Sequence, residues 1–261
     1  MTRDALTAMP CTCGIRDLLM RQRGTGLMTD LSILSGGAAQ GLVRSLAPAF
    51  KTRTGLDIEG EFGAVGAMAD KLRSGRPTDI VIFTQALVGT LAQQQLVAPA
   101  SVRNVGVVET ALAVRAGDPL VSAPDQATLR KTLLAAPAIY VPDTKASTAG
   151  IHIARVLTLL GISGEVESRL KIYPNGATAM RHLAESPARQ PMGCTQSTEI
   201  ISTPGVTLSG ALPPGCELAT MYTAGITTGA AHPREAQTLI DLLTATDHRD
   251  LRNRAGFLEP A

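Results

Sequence analysis

From residue 28 onwards, short apolar runs alternate along the chain with stretches whose apolar residues recur at helical spacing. The runs 79–83 and 138–141 are short and largely apolar, which is typical of strands buried on both faces. Helical spacing follows the first such run, at Ala38, Leu42 and Val43. Strands that alternate with helices predict an α/β fold with a mostly parallel sheet.

Glycine and proline mark many of the element boundaries. Gly55, Gly75 and Gly161 end predicted helices, Pro233 fits the first turn of another, and Pro48 predicts a kink inside the first helix. The predicted strands span residues 31–35, 57–62, 79–83, 105–114, 138–141, 170–173, 192–195, 206–208 and 217–228. The predicted helices span residues 38–52, 67–73, 87–95, 126–134, 149–160, 177–184, 233–243 and 248–255.

Two of the predicted strands are long enough to connect two separate lobes. Residues 105–114 would carry the chain out of the first lobe, and residues 217–228 would return it. We therefore expect residues 29–112 and 218–261 to form lobe 1, and residues 113–217 to form lobe 2. Open α/β sheets bind ligands at the carboxyl ends of their strands, so the predicted site is a hinged cleft between the lobes.

Four strand-to-helix junctions favour an anion as the ligand. The first, 31–44, has the sequence LSILSGGAAQGLVR, in which a glycine turn precedes a helix N-terminus. The unpaired N–H groups and the dipole of such a terminus favour negative charge. Similar junctions occur at 61–70, 139–156 and 192–201, which suggests one shared cleft.

Composition excludes several other classes of ligand. The 261 residues are 44% hydrophobic and only 3% aromatic, and the chain has no tryptophan. Sugar platforms and base-stacking surfaces need more rings than this. The net charge is +2 with scattered basic residues, so we expect no nucleic-acid partner, and no apolar run is long enough for membrane insertion.

We expect neither a metal nor a cofactor. The chain has four cysteines and four histidines, and the pair Cys11 and Cys13 is not followed by zinc-ligand spacing. Unpaired reduced thiols, with Cys194 as a small buried residue, fit a cytosolic protein.

The first 28 residues are expected to form a disordered N-terminal extension. They contain several arginines and lack the apolar stretch of a secretory signal. The expected location is therefore the cytoplasm, or the periplasm if the true start of the chain differs.

The order and spacing of these segments resemble the molybdate-binding-protein-like (ModA-like) branch of the type II periplasmic binding proteins. The resemblance covers residues 28–260, and its most specific segments are ILSGGAAQGL, RPTDIVIFTQA, VPDTKASTAGIHIARVLTLLGI and PMGCTQSTEI. It implies two α/β lobes with a hinge and an interlobe cleft, and a possible ABC permease as partner if the protein is exported. The ligand-binding residues that it implies are Ser35, Gly36, Gly37, Ala38, Ala64, Val65, Thr84, Ser147, Thr148, Ala149 and Gln196.

The chain departs from the molybdate-binding pattern at two of these positions. The second turn offers Ala64 and Val65 where a serine is usual, and Gln196 stands where a tyrosine is frequent. Each missing hydrogen bond weakens oxyanion binding by roughly 0.5 to 3 kcal/mol. The ligand is therefore expected to be a small anion, either a carboxylate such as a tricarboxylate or an oxyanion.

The same fold also resembles bacterial aconitate isomerase, which implies an alternative function: proton transfer that isomerises a tricarboxylate between its cis and trans forms. Whether the protein is an enzyme is left open, as is a ligand-sensing module that uses the same cleft. The candidate bases are His152, Glu61, Glu199 and Tyr173, and none is compelling. A packing role is favoured for His152, a solvent-facing position for Glu61, and support of a helix N-terminus for Glu199. Lys145 and Arg115 are candidates for pairing with a ligand carboxylate.

Overall fold

The computed structural model describes residues 30–259 of the chain. These residues contain nine strands and ten α-helices. The strands are β1 (Leu31–Gly36), β2 (Ile58–Gly63), β3 (Ile80–Thr84), β4 (Arg103–Arg115), β5 (Ile139–Pro142), β6 (Leu170–Tyr173), β7 (Met192–Gln196), β8 (Val206–Ala211) and β9 (Ala219–Ile226). The helices are α1 (Gln40–Thr54), α2 (Val65–Arg73), α3 (Gln85–Gln93), α4 (Gln126–Ala135), α5 (Thr148–Leu159), α6 (Ser163–Val166), α7 (Gly176–Ala184), α8 (Ser197–Ile201), α9 (Pro233–Thr244) and α10 (Arg249–Arg254).

The long strand β4 joins two halves of the sheet, whose order is β2-β1-β3-β9-β4-β7-β5-β6 with β8 also on β4. Its first part, 103–109, pairs with β9, and its second part, 110–115, pairs with β7 and β8. The predicted connecting strands are therefore the two neighbours β4 and β9. The division into two lobes at the predicted boundaries stays a prediction.

The expectation of a mostly parallel sheet is only half right. Strand β1 pairs in parallel with β2 and β3, and β5 pairs in parallel with β6 and β7. All pairings of β4 and β9 are antiparallel. Strands β4 and β9 run in opposite directions, and each is also antiparallel to its neighbours on the other side, so the parallel order of each half ends at them.

Separate apolar clusters cover the two halves of the sheet. One contains Leu42 and Phe50 of α1 together with Leu239 of α9, all fully buried. Another contains Leu129 of α4 and Ile153 of α5, packed near strand β5. The apolar residues predicted at helical spacing in α1, Leu42 and Val43, thus lie on its buried face.

The predicted elements agree with the observed ones to within a few residues. Helix α1 continues through Pro48 and ends at Thr54, directly before Gly55, whose positive φ of 79° favours glycine. The short helices α6 and α8 are not among the predicted helices, because their four and five residues are too few to show helical periodicity. For α8, only the strand-to-helix junction at 192–201 was predicted.

Within residues 30–259 no single helix combines the length and apolar composition needed to cross a membrane. The segments Thr148–Leu159 and Ser163–Arg169 pass that test by length and composition as a pair, bent by 120°. The predicted N-terminal extension, with Cys11 and Cys13, lies outside the described residues.

Candidate functional site

The amino ends of several helices surround a small cavity between the two halves of the sheet. It has a volume of about 10 Å³, which is room for about one water molecule. A ligand the size of a carboxylate therefore needs the two sides to separate. The lining residues are Gly37, Ala38, Gly63, Val65, Ser147, Thr148, Ala149, Asn175, Gln196, Glu199 and Tyr222.

The helix N-termini at this cavity make it attractive to anions. Ala64 precedes α2 and Ser147 precedes α5, and neither side chain caps its helix. Asn175 does cap α7, by accepting a hydrogen bond from the Thr178 N–H at 2.8 Å. No lysine, arginine or histidine is among the lining residues within the described chain. Any positive potential here comes from backbone N–H groups and helix dipoles.

A buried carboxyl group, that of Glu199, already occupies part of this positive region. Glu199 is 4% exposed, and its Oε2 accepts a hydrogen bond from the Thr195 hydroxyl at 2.6 Å. The backbone N–H groups of Gly176, Ala177 and Gln196 also donate to it. Burial raises the pKa of Glu199, and these hydrogen bonds oppose the rise. Glu199 thus supports the N-termini of both α7 and α8, in line with the interpretation made from the sequence.

Glycine is required around Glu199 by packing within the protein. A β-carbon at Gly37 would overlap Glu199 Oε1, and one at Gly176 would overlap Oε2 and the Thr195 hydroxyl. A β-carbon at Gly36 would lie 3.0 Å from the Tyr222 ring. The missing β-carbons of Gly36, Gly37 and Gly176 therefore leave room for the side chains of Tyr222 and Glu199.

One polar side chain at the cavity is buried without a protein partner. The amide of Gln196 is 97% buried, and neither its nitrogen nor its oxygen has a hydrogen bond in the described chain. The neighbouring Tyr222 side chain is 2% exposed and packs edge-on against Phe257. Because an unpartnered buried polar group costs free energy, the Gln196 amide points to a ligand.

Most of the predicted ligand-binding residues line this cavity. The ones that do are Gly37, Ala38, Val65, Ser147, Thr148, Ala149 and Gln196. The ones that lie outside its lining are Ser35, Gly36, Ala64 and Thr84. The assignment of all eleven to ligand binding stays a prediction.

The residues outside the lining have other surroundings. The Ser35 hydroxyl is fully buried and lies within hydrogen-bond distance of the Gly36 and Ile82 carbonyls, at 2.8 and 3.2 Å. Thr84 lines a neighbouring groove of about 550 Å³, together with Thr148 and His152.

Sequence reasoning did not assign Tyr222 or Asn175 to the site. Tyr222 is the only aromatic residue in the predicted strand 217–228, and Asn175 precedes a glycine and a helical pattern, which is a capping signal. Both signals were present, but neither shows which way the side chain faces.

The other candidate bases have structural roles. The His152 Nε2 lies 2.8 Å from the Cys216 carbonyl, and Glu61 forms ion pairs with Lys71 and with Arg76. Tyr173 stacks on Tyr140 and on His182.

The proposed cationic residues also lie elsewhere. Arg115 donates to the Ser186 carbonyl at 2.5 Å and pairs with Asp118 at 3.1 Å. Lys145 is exposed, and its side chain does not line the cavity. Cys194 is buried and unpaired, as expected, and burial raises its pKa.

One backbone hydrogen bond closes the cleft beside the cavity. The Gly66 N–H of α2 donates to the carbonyl of Ala146, in the loop before α5, at 3.4 Å. That loop is shaped by Asp143, whose carboxylate accepts the N–H groups of Lys145 and Ala146 at 2.7 and 2.9 Å. These hydrogen bonds lower the pKa of Asp143.

This architecture is that of the type II periplasmic binding proteins. The chain matches the family of bacterial extracellular solute-binding proteins over residues 31–258, and it belongs to that family. Among curated proteins it is similar to an aconitate isomerase from Pseudomonas sp, with 26% identity over 231 residues that cover 84% of each chain.

Two solved structures show how far the fold is shared. The periplasmic molybdate-binding protein of Azotobacter vinelandii aligns with a TM-score of 0.75 and 18% identity, over 89% of this chain and 100% of that one. The sulfate-binding protein SubI of Mycobacterium tuberculosis aligns with a TM-score of 0.68 and 17% identity, over 88% and 86%.

The expected cytoplasmic location gains no support from these relatives. The family is described as extracellular, and the molybdate-binding neighbour is described as periplasmic. The alternative, a periplasmic location, agrees with both descriptions.

Proposed function

We propose that this protein is a solute-binding protein that closes on a small anion between its two lobes. The observation that carries the proposal is the buried, unpartnered amide of Gln196 in a cavity surrounded by helix N-termini. The amide and the Tyr222 hydroxyl would donate hydrogen bonds to the anion, and the N-termini of α1, α2 and α5 would supply backbone donors. The names of the molybdate- and sulfate-binding neighbours support an anionic cargo.

A binding protein of this kind would work outside the cytoplasm and deliver its ligand to a membrane permease of the ABC type. The family description as extracellular supports this location. Opening of the cleft would release the anion to the permease.

The substitution Gln196→Leu tests the proposal, because it should change affinity and stability in opposite directions. Without its amide the protein should bind the anion about tenfold more weakly, through loss of a buried hydrogen bond. The ligand-free protein should be as stable as wild type or more so, since an unpartnered buried amide has been removed. Isothermal titration calorimetry with molybdate, sulfate, trans-aconitate and tricarballylate measures the first effect, and thermal unfolding measures the second. A wild-type protein that binds none of these anions would contradict the proposal.

A second candidate is an isomerase that acts on a tricarboxylate. Its support is the similarity to aconitate isomerase over most of both chains, together with the buried Glu199 carboxyl at the cavity. Burial raises the pKa of Glu199, which makes its ionised form a stronger base than an exposed carboxylate.

In this reaction Glu199 would take a proton from the methylene carbon of trans-aconitate and return one to the former vinyl carbon. The double bond then moves from one arm to the other, and no atoms are gained or lost. The Tyr222 hydroxyl would donate a hydrogen bond to the carboxylate oxygen that gains charge in the intermediate.

Proton NMR in D₂O separates the two functions. An isomerase would convert trans-aconitate to the cis form and exchange its methylene and vinyl protons for deuterium. Glu199→Gln would abolish this exchange, whereas Gln196→Leu would slow it. Saturable binding without exchange in the wild-type protein would leave only the binding function.

A further inference from the structure

A second pocket adjoins the cavity and carries two arginines. It has a volume of about 230 Å³ and lies between the first turns of α1 and α7. Gln40 and Arg44 of α1 line one side, and Thr178 and Arg181 of α7 line the other. Asn175 lines both this pocket and the cavity, so the two spaces are neighbours. We call this space the arginine pocket.

The two arginines come from helices on opposite halves of the sheet, and no acidic side chain lines the pocket within the described chain. Arg44 is exposed and has no hydrogen bond or ion pair with any of residues 30–259. Arg181 is also exposed and donates to the Thr178 hydroxyl at 3.0 Å, with no carboxylate partner in the same range. Two positive charges that line the same pocket repel each other, and an anion between them offsets that repulsion.

We propose that the arginine pocket binds a second carboxylate of the ligand, so that the cargo is a polycarboxylate and not a single oxyanion. This inference rests on the anion-binding function proposed above. One carboxylate would lie at the helix N-termini of the cavity, near Gln196 and Tyr222. Another would reach past Asn175 to Arg44 and Arg181, whose planar guanidinium groups match the two oxygens of a carboxylate.

The arrangement also couples ligand size to closure of the cleft. Arg44 moves with α1 and Arg181 moves with α7, so a ligand that contacts both holds the two halves together. An oxyanion such as molybdate, bound in the cavity alone, would place no negative charge between the two arginines. The closed state should therefore be favoured more strongly by a polycarboxylate than by molybdate.

Calorimetric titration of tricarballylate, a saturated tricarboxylate, and of molybdate into four proteins tests the proposal. The proteins are wild type, Arg44→Gln, Arg181→Gln and the control Arg53→Gln. Arg53 is exposed on the same helix as Arg44 and lines neither the arginine pocket nor the cavity. Its substitution changes the net charge by the same amount as the other two, without altering either space. Thermal unfolding should show that all four are folded, because the substituted residues are exposed.

We expect Arg44→Gln and Arg181→Gln each to weaken tricarballylate binding about tenfold or more, with little effect on molybdate, and Arg53→Gln to change neither. Equal weakening of both ligands, or an effect of Arg53→Gln as large as that of Arg44→Gln, would overturn the subsite, because it would indicate a general effect of charge. Unchanged affinities in the arginine variants would overturn the subsite alone. Failure of every anion to bind the wild-type protein would overturn the anion-binding function and the subsite with it.

Discussion

Glu199 is the residue on which the chemistry of the cleft most depends. Its carboxyl group is buried and is stabilised by hydrogen-bond donors. No positively charged side chain lines the cavity within the described residues. The other titratable group that faces it is Tyr222, whose pKa burial also raises, so Tyr222 remains protonated near neutral pH.

Anion binding should be coupled to proton uptake by Glu199. A second negative charge nearby raises the pKa of this carboxyl further, because like charges disfavour its ionised form. Affinity should therefore rise as the pH falls through the raised pKa of Glu199, and the effect should be absent in Glu199→Gln. Titration in two buffers with different ionisation enthalpies measures the protons taken up. Equal pH dependence in both proteins would show that another group is responsible.

The stability of the ligand-free protein should depend on Glu199 with the same sign. Because its pKa is raised in the folded state, its stabilising contribution is present below its unfolded pKa and is lost as the pH rises through its folded pKa. Denaturant unfolding of wild type and Glu199→Gln as a function of pH should show a flatter profile for the variant.

Gly37→Ala should damage both stability and anion binding. The new β-carbon would overlap Glu199 Oε1, and the hydrogen bonds to Oε2 prevent an easy shift of the carboxyl group. A loss of about 1–3 kcal/mol in the free energy of unfolding is expected, as in other overpacked sites. Gly89→Ala is the matched control, since a β-carbon there meets nothing within 4 Å in helix α3. That variant should be as stable as wild type or slightly more so, and a similar loss in both variants would argue against the overlap.

At the level of elements, the loop before α5 sets the position of one wall of the cavity. Asp143 accepts two backbone hydrogen bonds in this loop, which presents the Ala146 carbonyl to the Gly66 N–H of α2. The same strand-to-helix design recurs at the starts of α1, α2, α7 and α8. The cavity is therefore made of helix starts, and each depends on the turn that precedes it.

Asp143→Ala should reduce the free energy of anion binding by more than it reduces the free energy of unfolding. Its loss frees two N–H groups and loosens the turn that leads into Ser147 and Thr148. Asp125→Ala is the control, because Asp125 accepts the Thr128 N–H at 2.7 Å as the N-cap of α4, outside the cavity lining. That variant should lose about 1 kcal/mol of stability and keep its affinity. Calorimetry and thermal unfolding on both variants give the comparison, and equal affinities in the two would contradict the role of the loop.

For the molecule as a whole, ligand exchange must involve separation of the two halves. The cavity holds about one water molecule, and the contact between Gly66 and Ala146 closes it on one side. The strands β4 and β9 cross between the halves as neighbours, which makes them the natural hinge.

A disulfide across the cleft should therefore block binding reversibly. A β-carbon at Gly66 would lie 4.0 Å from the Ala146 Cα, so a disulfide between Gly66→Cys and Ala146→Cys would tie α2 to the loop before α5. The oxidised double variant should not take up ligand, and reduction should restore binding. Each single variant serves as a control. An oxidised protein that binds the anion at the wild-type rate would show that opening is unnecessary.

Much of the fold could be predicted because it depends on local patterns. Apolar runs such as 79–83 specify buried strands, and glycines such as Gly55 mark helix ends through their backbone freedom. The predicted strand-to-helix junctions were informative for the same reason, and they placed Gly37, Thr148 and Gln196 around one cavity. The antiparallel pairing of β4 and β9 was missed, because strand direction depends on partners far away in the sequence.

The sequence by itself determined the order of strands and helices, the turns between them and the preference of their ends for negative charge. These properties follow from side-chain periodicity and backbone freedom, which act over a few residues. Only the tertiary structure decided that Glu199 lies against Gly37 and Gly176, that Tyr222 reaches the cavity from β9, and that Arg44 and Arg181 share a pocket. Such contacts join residues distant in the chain, and burial and charge at the site arise from them.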